Sequence, residues 1–265
     1  MPWCDLAPRL SVDTRSLTSP AVVQSTPWEE ALMTLRFLCT FLLVIGLVTP
    51  AQASDRIING DPASQDYSFM VGLLDSAGAY CGGTLIKPQW VLTASHCLQG
   101  ATDLTVRIGS KFHDSGGELA KMANPVVLSG DLSLIKLDKP VQATPAPLTD
   151  VTPAQGSKVR ILGWGSTCLP GTSCFPKDLR QADTTIAALS GCRTADANFE
   201  VCVAANGGKG ACYGDSGGPF LVATANGGWQ VGGSASRLGG QGCGGSVIYS
   251  DVVKQRAMID RFTQS

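Results

Sequence analysis

The sequence predicts an all-β protein: two small antiparallel β-barrels followed by a short C-terminal helix. Three observations carry that expectation. The 265 residues include 31 glycines and 15 prolines, more turn formers than the ~7% glycine of ordinary proteins, so the chain is cut into short runs. Runs such as Thr105-Val106-Arg107-Ile108, Lys158-Val159-Arg160-Ile161 and Ser246-Val247-Ile248-Tyr249 are rich in β-branched residues and bounded by Gly, Pro or Ser, which is how strands read. The stretch from Pro140 to Pro153, PVQATPAPLTDVTP, lacks apolar periodicity and reads as a linker between two halves of ordinary domain size.

Taken in order, the chain opens on a segment that does not belong to the fold. Phe37 to Thr49 is apolar, follows Arg36, and precedes Pro50-Ala51-Gln52-Ala53. A positive flank, an apolar run too short to span a bilayer and a small-x-small site read as a secretory signal cleaved after Ala53. Met33 sits where such a signal begins, so 33–53 is the expected signal peptide and 1–32 an upstream extension. The first barrel is expected over 57–150 and the second over 151–265. At the end, Asp251 to Phe262 places Val252, Val253, Ile259 and Phe262 at spacing that fits one amphipathic helix.

Composition narrows the function classes. With 20 basic and 21 acidic residues the formal net charge is -1, so nothing points to nucleic acid or an anionic membrane. Two cysteines, Cys4 and Cys39, fall in the leader. The others are Cys81, Cys97, Cys168, Cys174, Cys192, Cys202, Cys212 and Cys243. An even number in an exported chain argues for disulfides. Zinc is disfavoured because no C-x-x-C occurs and the chain has only 2 histidines.

The chemistry centres on Cys212 to Phe220, CYGDSGGPF. A serine hydroxyl needs a positioned base to act as a nucleophile at neutral pH. His96 lies in the apolar WVLTASHC, whose cysteine can anchor it; His113 lies in the polar SKFHDSGGE, which reads as an exposed loop. His96 is therefore the better base for Ser216. Gly214 to Gly218 also fits G-x-S-x-G, the elbow of α/β-hydrolases, but there the histidine follows the serine, and none does here. A lipase or esterase fails on that order.

TASHC, GDLSLIKL and CYGDSGGP, in this order, resemble the three catalytic blocks of the chymotrypsin/trypsin-like serine proteases, and DRIING and GWG (Gly163–Gly165) resemble their activation site and second-barrel entry. The likeness runs from Ile57 to the C-terminus. It implies two six-stranded antiparallel barrels with Ser216 as nucleophile, His96 as general base and Asp131 as the carboxylate behind it. It further implies an oxyanion hole from the N–H groups of Gly214 and Ser216, and cleavage after Arg56 that frees Ile57 to pair with Asp215. Residues 54–56 would then be a short propeptide. The implied disulfides are Cys81–Cys97, Cys192–Cys202 and Cys212–Cys243, leaving Cys168 and Cys174 to close a local loop. Ser95 stands where the family more often has alanine.

The same resemblance places the specificity pocket at Gly210, Ala211, Tyr213, Ser236, Leu238 and Val247. The uncharged Gly210 at the expected floor disfavours a preference for Lys or Arg. Leu238 and Val247 would narrow the pocket for small aliphatic side chains; if Gly239 or Gly240 took the wall position instead, larger apolar or aromatic side chains would enter. The implied protein is a secreted serine endopeptidase made as a zymogen, extracellular or periplasmic, monomeric and without cofactor. Its expected partners are protein or peptide substrates, protein inhibitors, and a separate trypsin-like protease that activates it. The loop from Ser110 to Met122, with Asp114 and Glu118, is too short for an expected calcium site. The alternative is a protease-fold protein that binds a partner without catalysis.

Overall fold

The structure is a computed structural model and describes residues 57–264 except 59, 76–77, 169–173 and 241. The expected extension, signal peptide and propeptide, Arg56 included, lie outside the described residues. In chain order the strands are β1 (Asp61–Pro62), β2 (Met70–Asp75), β3 (Gly78–Lys87), β4 (Trp90–Ala94), β5 (Thr105–Ile108), β6 (Glu118–Val127) and β7 (Leu132–Leu137). They continue with β8 (Lys158–Gly163), β9 (Arg180–Thr185), β10 (Glu200–Val203), β11 (Pro219–Ala223), β12 (Trp229–Leu238) and β13 (Val247–Asp251). A single α-helix among the described residues, α1 (Arg256–Thr263), ends the chain.

The first barrel is closed, with strand order β2-β3-β4-β7-β6-β5 and antiparallel pairing throughout. Its core is aliphatic. Met70, Leu73, Leu85, Leu92, Leu132 and Leu134 are fully buried, and β7, which reads LSLIKL, buries five of its 6 residues. The two-residue turn Pro88-Gln89 closes the β3–β4 hairpin, where proline costs nothing because no ladder bond is lost.

The second half forms a 7-stranded sheet ordered β1-β9-β8-β11-β12-β13-β10. Six of these strands make a ring, because an isolated bridge from Ile186 to Val203 joins the ends of β9 and β10. The seventh, β1, precedes the first barrel in sequence yet pairs with β9, Asp61 opposite Gln181. Ile57 goes the same way: its side chain is buried in the second core with Val159, Ala211, Phe220 and Tyr249. Phe220 and Tyr249 meet edge to face at 5.4 Å there.

Of two expectations about connections, one holds and one needs correction. The Pro-rich stretch does join the halves, between β7 and β8, and it does so as a strap stitched to both. Val141 and Ala146 donate to the carbonyls of Pro88 and Leu85 in the first barrel, and Thr149 donates to Val231 in the second. Backbone with no periodicity of its own can still satisfy its amides against strand edges. The helix begins five residues later than read. Asp251 ends β13, fully buried, and its carboxylate accepts the Val253 amide at 2.9 Å and the Thr152 hydroxyl at 2.6 Å. Those bonds hold Val252 and Val253 in a turn before α1.

Close packing in the second core leaves no room at two glycines of β12. A Cβ on Gly232 would lie 2.0 Å from the Phe220 ring, and one on Gly233 would lie 2.5 Å from it. Gly232→Ala is therefore expected to lower unfolding stability by about 1–3 kcal/mol, read from urea transitions of the disulfide-intact chain. Adding Phe220→Leu should recover part of that loss, since the two changes share one contact.

Candidate active site

His96 is presented by a single turn of 3-10 helix, Ser95–Leu98, that follows β4. The neighbouring Cys97 is bonded to Cys81 on β3, which fixes the turn against the barrel. Asp131 sits in the left-handed region with φ of 59°, at the entry to β7, beside Gly130 with φ of 60°. This kink points its carboxylate back at the histidine turn. Oδ1 accepts the His96 backbone N–H at 2.9 Å, and Oδ2 lies 2.8 Å from His96 Nδ1. Oδ2 also accepts the Ser236 hydroxyl at 2.7 Å, a bond from the second sheet. Burial opposes ionisation of Asp131, but these bonds from the His96 ring, Ser236 and the His96 amide outweigh it and hold the carboxyl below the usual carboxylate range.

Ser95 fills its position usefully. Its hydroxyl donates to the Leu132 carbonyl at 2.8 Å and lies 2.8 Å from the Ser133 hydroxyl, and its amide donates to the Asp131 carbonyl at 3.0 Å. The second reading of the histidines also has its place: His113 lies in the loop between β5 and β6, where its amide donates to Lys177, away from this cluster.

Ser216 sits in a chain of tight turns. Asp215 N–H donates to Cys212 at 3.1 Å and Gly218 N–H to Asp215 at 3.0 Å. The loop presses directly on the first barrel, where Gly82 N–H donates to the Ser216 carbonyl at 2.7 Å. Gly217, with φ of 79°, is so close that a Cβ would lie 2.3 Å from the Gly82 carbonyl and the Thr93 hydroxyl. Gly214 carries φ of 92°. Only glycine meets both requirements at low cost. Among the described residues, the N–H groups of Gly214 and Ser216 donate to no protein acceptor, so both are free to bind an oxygen that develops charge.

Ser216 and His96 line one cavity of about 350 Å³ together with Tyr213, Ala211, Leu238 and Val247. Leu238 and Val247 are directly opposed across β12 and β13, and form one apolar wall. Gly210 does not line this cavity. It bridges to Ile58, and a Cβ there would lie 2.8 Å from the Gly245 carbonyl. Arg237 lines it as well, between Ser236 and Leu238, the stretch Ser236-Arg237-Leu238 being where the sequence places a pocket wall. What the sequence leaves unread is its link to Ser236 and Glu200, which depends on strand register.

Disulfides frame the site. Cys212 joins Cys243 beside the serine loop, Cys192 joins Cys202, and Cys168 joins Cys174 in the loop after Trp164. Among the described residues, the one close group of metal-type side chains is Cys81, His96 and Cys97. Its sulfurs are spent in a disulfide, which leaves a single ligand. In the loop weighed for calcium, Asp114 pairs with Lys177 at 2.8 Å and Glu118 accepts the amides of Gln142 and Ala143. Arg107 donates to the carbonyls of His113, Asp114 and Gly116 there.

Asp215 is buried, and its carboxylate accepts the amides of Gly165 at 2.8 Å and Cys212 at 2.9 Å. Desolvation dominates over those two bonds and pushes its pKa up to about 7. The same burial, with the Asp215 charge adding to it, raises the Tyr249 phenol well above its ordinary value. Unfolded, the Asp215 carboxyl releases its proton near pH ~4. Between that value and about 7 the folded continuous chain binds more protons than the unfolded one, so this group makes stability fall as pH rises. The urea midpoint of the uncleaved Ser216→Ala chain is expected to drop across that window. A midpoint that rises through it would contradict this burial.

Comparison with known proteins agrees with this geometry. The Trypsin family model matches residues 57–246. The trypsin of Sarcophaga bullata is 31% identical over 256 residues, covering 86% of this chain and 98% of that protein. The thrombin-like enzyme acutin of Deinagkistrodon acutus is 34% identical over 187 residues, covering 62% and 79% respectively. Among solved structures, mouse neuropsin, a serine protease expressed in the limbic system of the brain, superimposes with a TM-score of 0.66 at 25% identity, covering 76% of this chain and 96% of its own. The chain belongs to the trypsin-like serine protease family and is a serine endopeptidase of the chymotrypsin fold.

Proposed function

We propose that this endopeptidase is secreted as a zymogen, is activated by cleavage after Arg56, and cuts after small aliphatic residues through Ser216, His96 and Asp131. One observation carries the reading: Ser216 and the hydrogen-bonded His96–Asp131 pair share a cavity whose wall is the apolar pair Leu238 and Val247. His96 takes the Ser216 proton as the oxygen attacks the scissile carbonyl, then gives that proton to the departing amine. Water enters by the same route in reverse and frees the acid product. Asp131 holds the imidazole tautomer and stabilises its cation, while the Gly214 and Ser216 amides receive the oxyanion. Loss of one such donor typically costs ~2.7–4 kcal/mol of barrier stabilisation.

Activation follows from Asp215. A buried carboxyl held by two amides alone stays protonated to about pH 7, and a cation brought beside it would reverse that shift. Ile57 is already packed in the second core, and cleavage after Arg56 would turn its amide into that cation. Ile57 also carries φ of 45°, which a β-branched residue rarely adopts, and cleavage removes the constraint. Four disulfides fit an oxidising compartment, and with it export to the periplasm or the cell exterior. Among the described residues no helix is long and apolar enough to cross a membrane.

A fluorophosphonate probe should label the Arg56-cleaved chain at Ser216 and leave Ser216→Ala unlabelled; no labelling after correct cleavage would favour the silent binding protein. The apolar pocket does not fit the Arg56 bond, so a separate trypsin-like protease is the expected activator. Efficient self-conversion of the purified zymogen, with Ser216→Ala staying uncleaved, would overturn that. On a peptide library the activated enzyme should prefer alanine- or valine-sized residues before the cut bond. Leu238→Gly with Val247→Gly should raise kcat/KM for aromatic over small residues by about 10- to 200-fold.

A further inference from the structure

The pairing of β12 with β13 slips by one residue between Ala235 and Arg237: Ala235 faces Tyr249, Arg237 faces Ile248, and Ser236 is the extra residue. Side chains alternate along a regular strand, but a bulge breaks the alternation. Ser236 and Arg237, though adjacent, both line the catalytic cavity. Arg237 Nη1 donates to the Ser236 hydroxyl at 3.2 Å and to Glu200 Oε1 at 2.6 Å. Its Nη2 donates to Glu200 Oε2 at 2.9 Å and to the Thr194 carbonyl at 2.7 Å. Glu200 is 4% exposed and also accepts the Asp196 amide at 2.7 Å, so the fork is held on a carboxylate that cannot drift.

A hydroxyl has one proton. With the Arg237 N–H entering the Ser236 oxygen, that proton is left for Asp131 Oδ2, 2.7 Å away, and Asp131 in turn holds His96. A single line of contacts therefore runs from Glu200 through Arg237, Ser236 and Asp131 to the imidazole. We infer that Arg237 and Glu200 are positioning residues that keep the Ser236 hydroxyl on Asp131 and set the pH at which His96 becomes a competent base. The inference rests on the reading of His96, Asp131 and Ser216 as the catalytic groups. The Arg237 charge stands one hydroxyl away from the carboxylate that holds the imidazole, and Glu200 offsets that charge. In keeping with this contact, Glu200 first, against burial, and Asp131 to a smaller degree hold the Arg237 guanidinium protonated above its ordinary value.

The charged and titratable groups facing the His96–Asp131 pair can be named. They are Arg237 with Glu200 and Asp196 on and before the second sheet, Tyr213 and Asp215 on the serine loop, and Tyr80 on β3, whose hydroxyl donates to Cys97. Only Arg237 and Glu200 change in the test.

With 2 histidines in the chain, ring NMR of the full disulfide-bonded Ser216→Ala chain reads His96 directly and uses His113 as an internal reference. Arg237→Gln should move the His96 midpoint up by roughly 0.3–0.7 pH unit, and Glu200→Gln should move it down by a similar amount, the size of one partly exposed charge interaction. Arg237→Lys keeps the charge and should stay near the parent. If Arg237→Gln fails to fold around the buried Glu200, the Arg237→Gln/Glu200→Gln pair replaces it. Its midpoint should then return toward the parent from that of Glu200→Gln. In the activated enzyme the acid limb of kcat/KM should follow the same directions with KM little changed. A midpoint unmoved in both charge variants, or moved the same way in both, overturns the inference, as does a change confined to KM. Failure of fluorophosphonate labelling would strike at the catalytic reading instead, because the NMR shifts do not depend on turnover.

Discussion

The carboxylate of Asp131 is the point on which the two halves of this protein agree. One oxygen takes the amide of His96 from the first barrel, and the other is shared by the His96 ring and the Ser236 hydroxyl from the second sheet. Even a half-buried anion needs such donors around it, in proportion to the solvent it has lost. Each half alone would leave it short. The demand of one charged group for partners thus fixes the relative placement of His96 and the Ser236 wall of the cleft. The serine loop adds a second constraint of a different kind, since Gly217 and Gly82 allow backbones to touch where any side chain would intrude.

Much of this was legible before any coordinate. TASHC and CYGDSGGP read as catalytic blocks because acyl transfer needs particular side chains at particular turns, and the structure brings their His96 and Ser216 to one cavity. The all-β class and the short strands followed from Gly, Pro and β-branched residues. The family match places that reading beyond the fold alone.

What escaped had physical reasons. The late start of α1 depends on a buried Asp251 that claims the Val253 amide, and apolar spacing cannot reveal a side-chain bond. The strap over 140–153 looks like a linker because its order comes from the edges it meets. The place of β1 beside β9 is a long-range pairing with no local mark. Arg237 could be placed in the pocket wall from the sequence, but its bond to Ser236 could not. In an ordinary strand the two neighbours would face opposite ways, and the slipped register lets the guanidinium reach the Ser236 hydroxyl.

The facing pair Leu238 and Val247 has a consequence for how this enzyme changes over time. The two side chains meet across one rung of a ladder, while Asp131 and His96 are anchored on the opposite barrel. If the two side chains set the pocket as proposed, a lineage could trade one diet for another by small steps at two neighbouring positions. The bonds that hold Asp131 to His96 and Ser236 would be inherited intact through every intermediate, because neither position takes part in them.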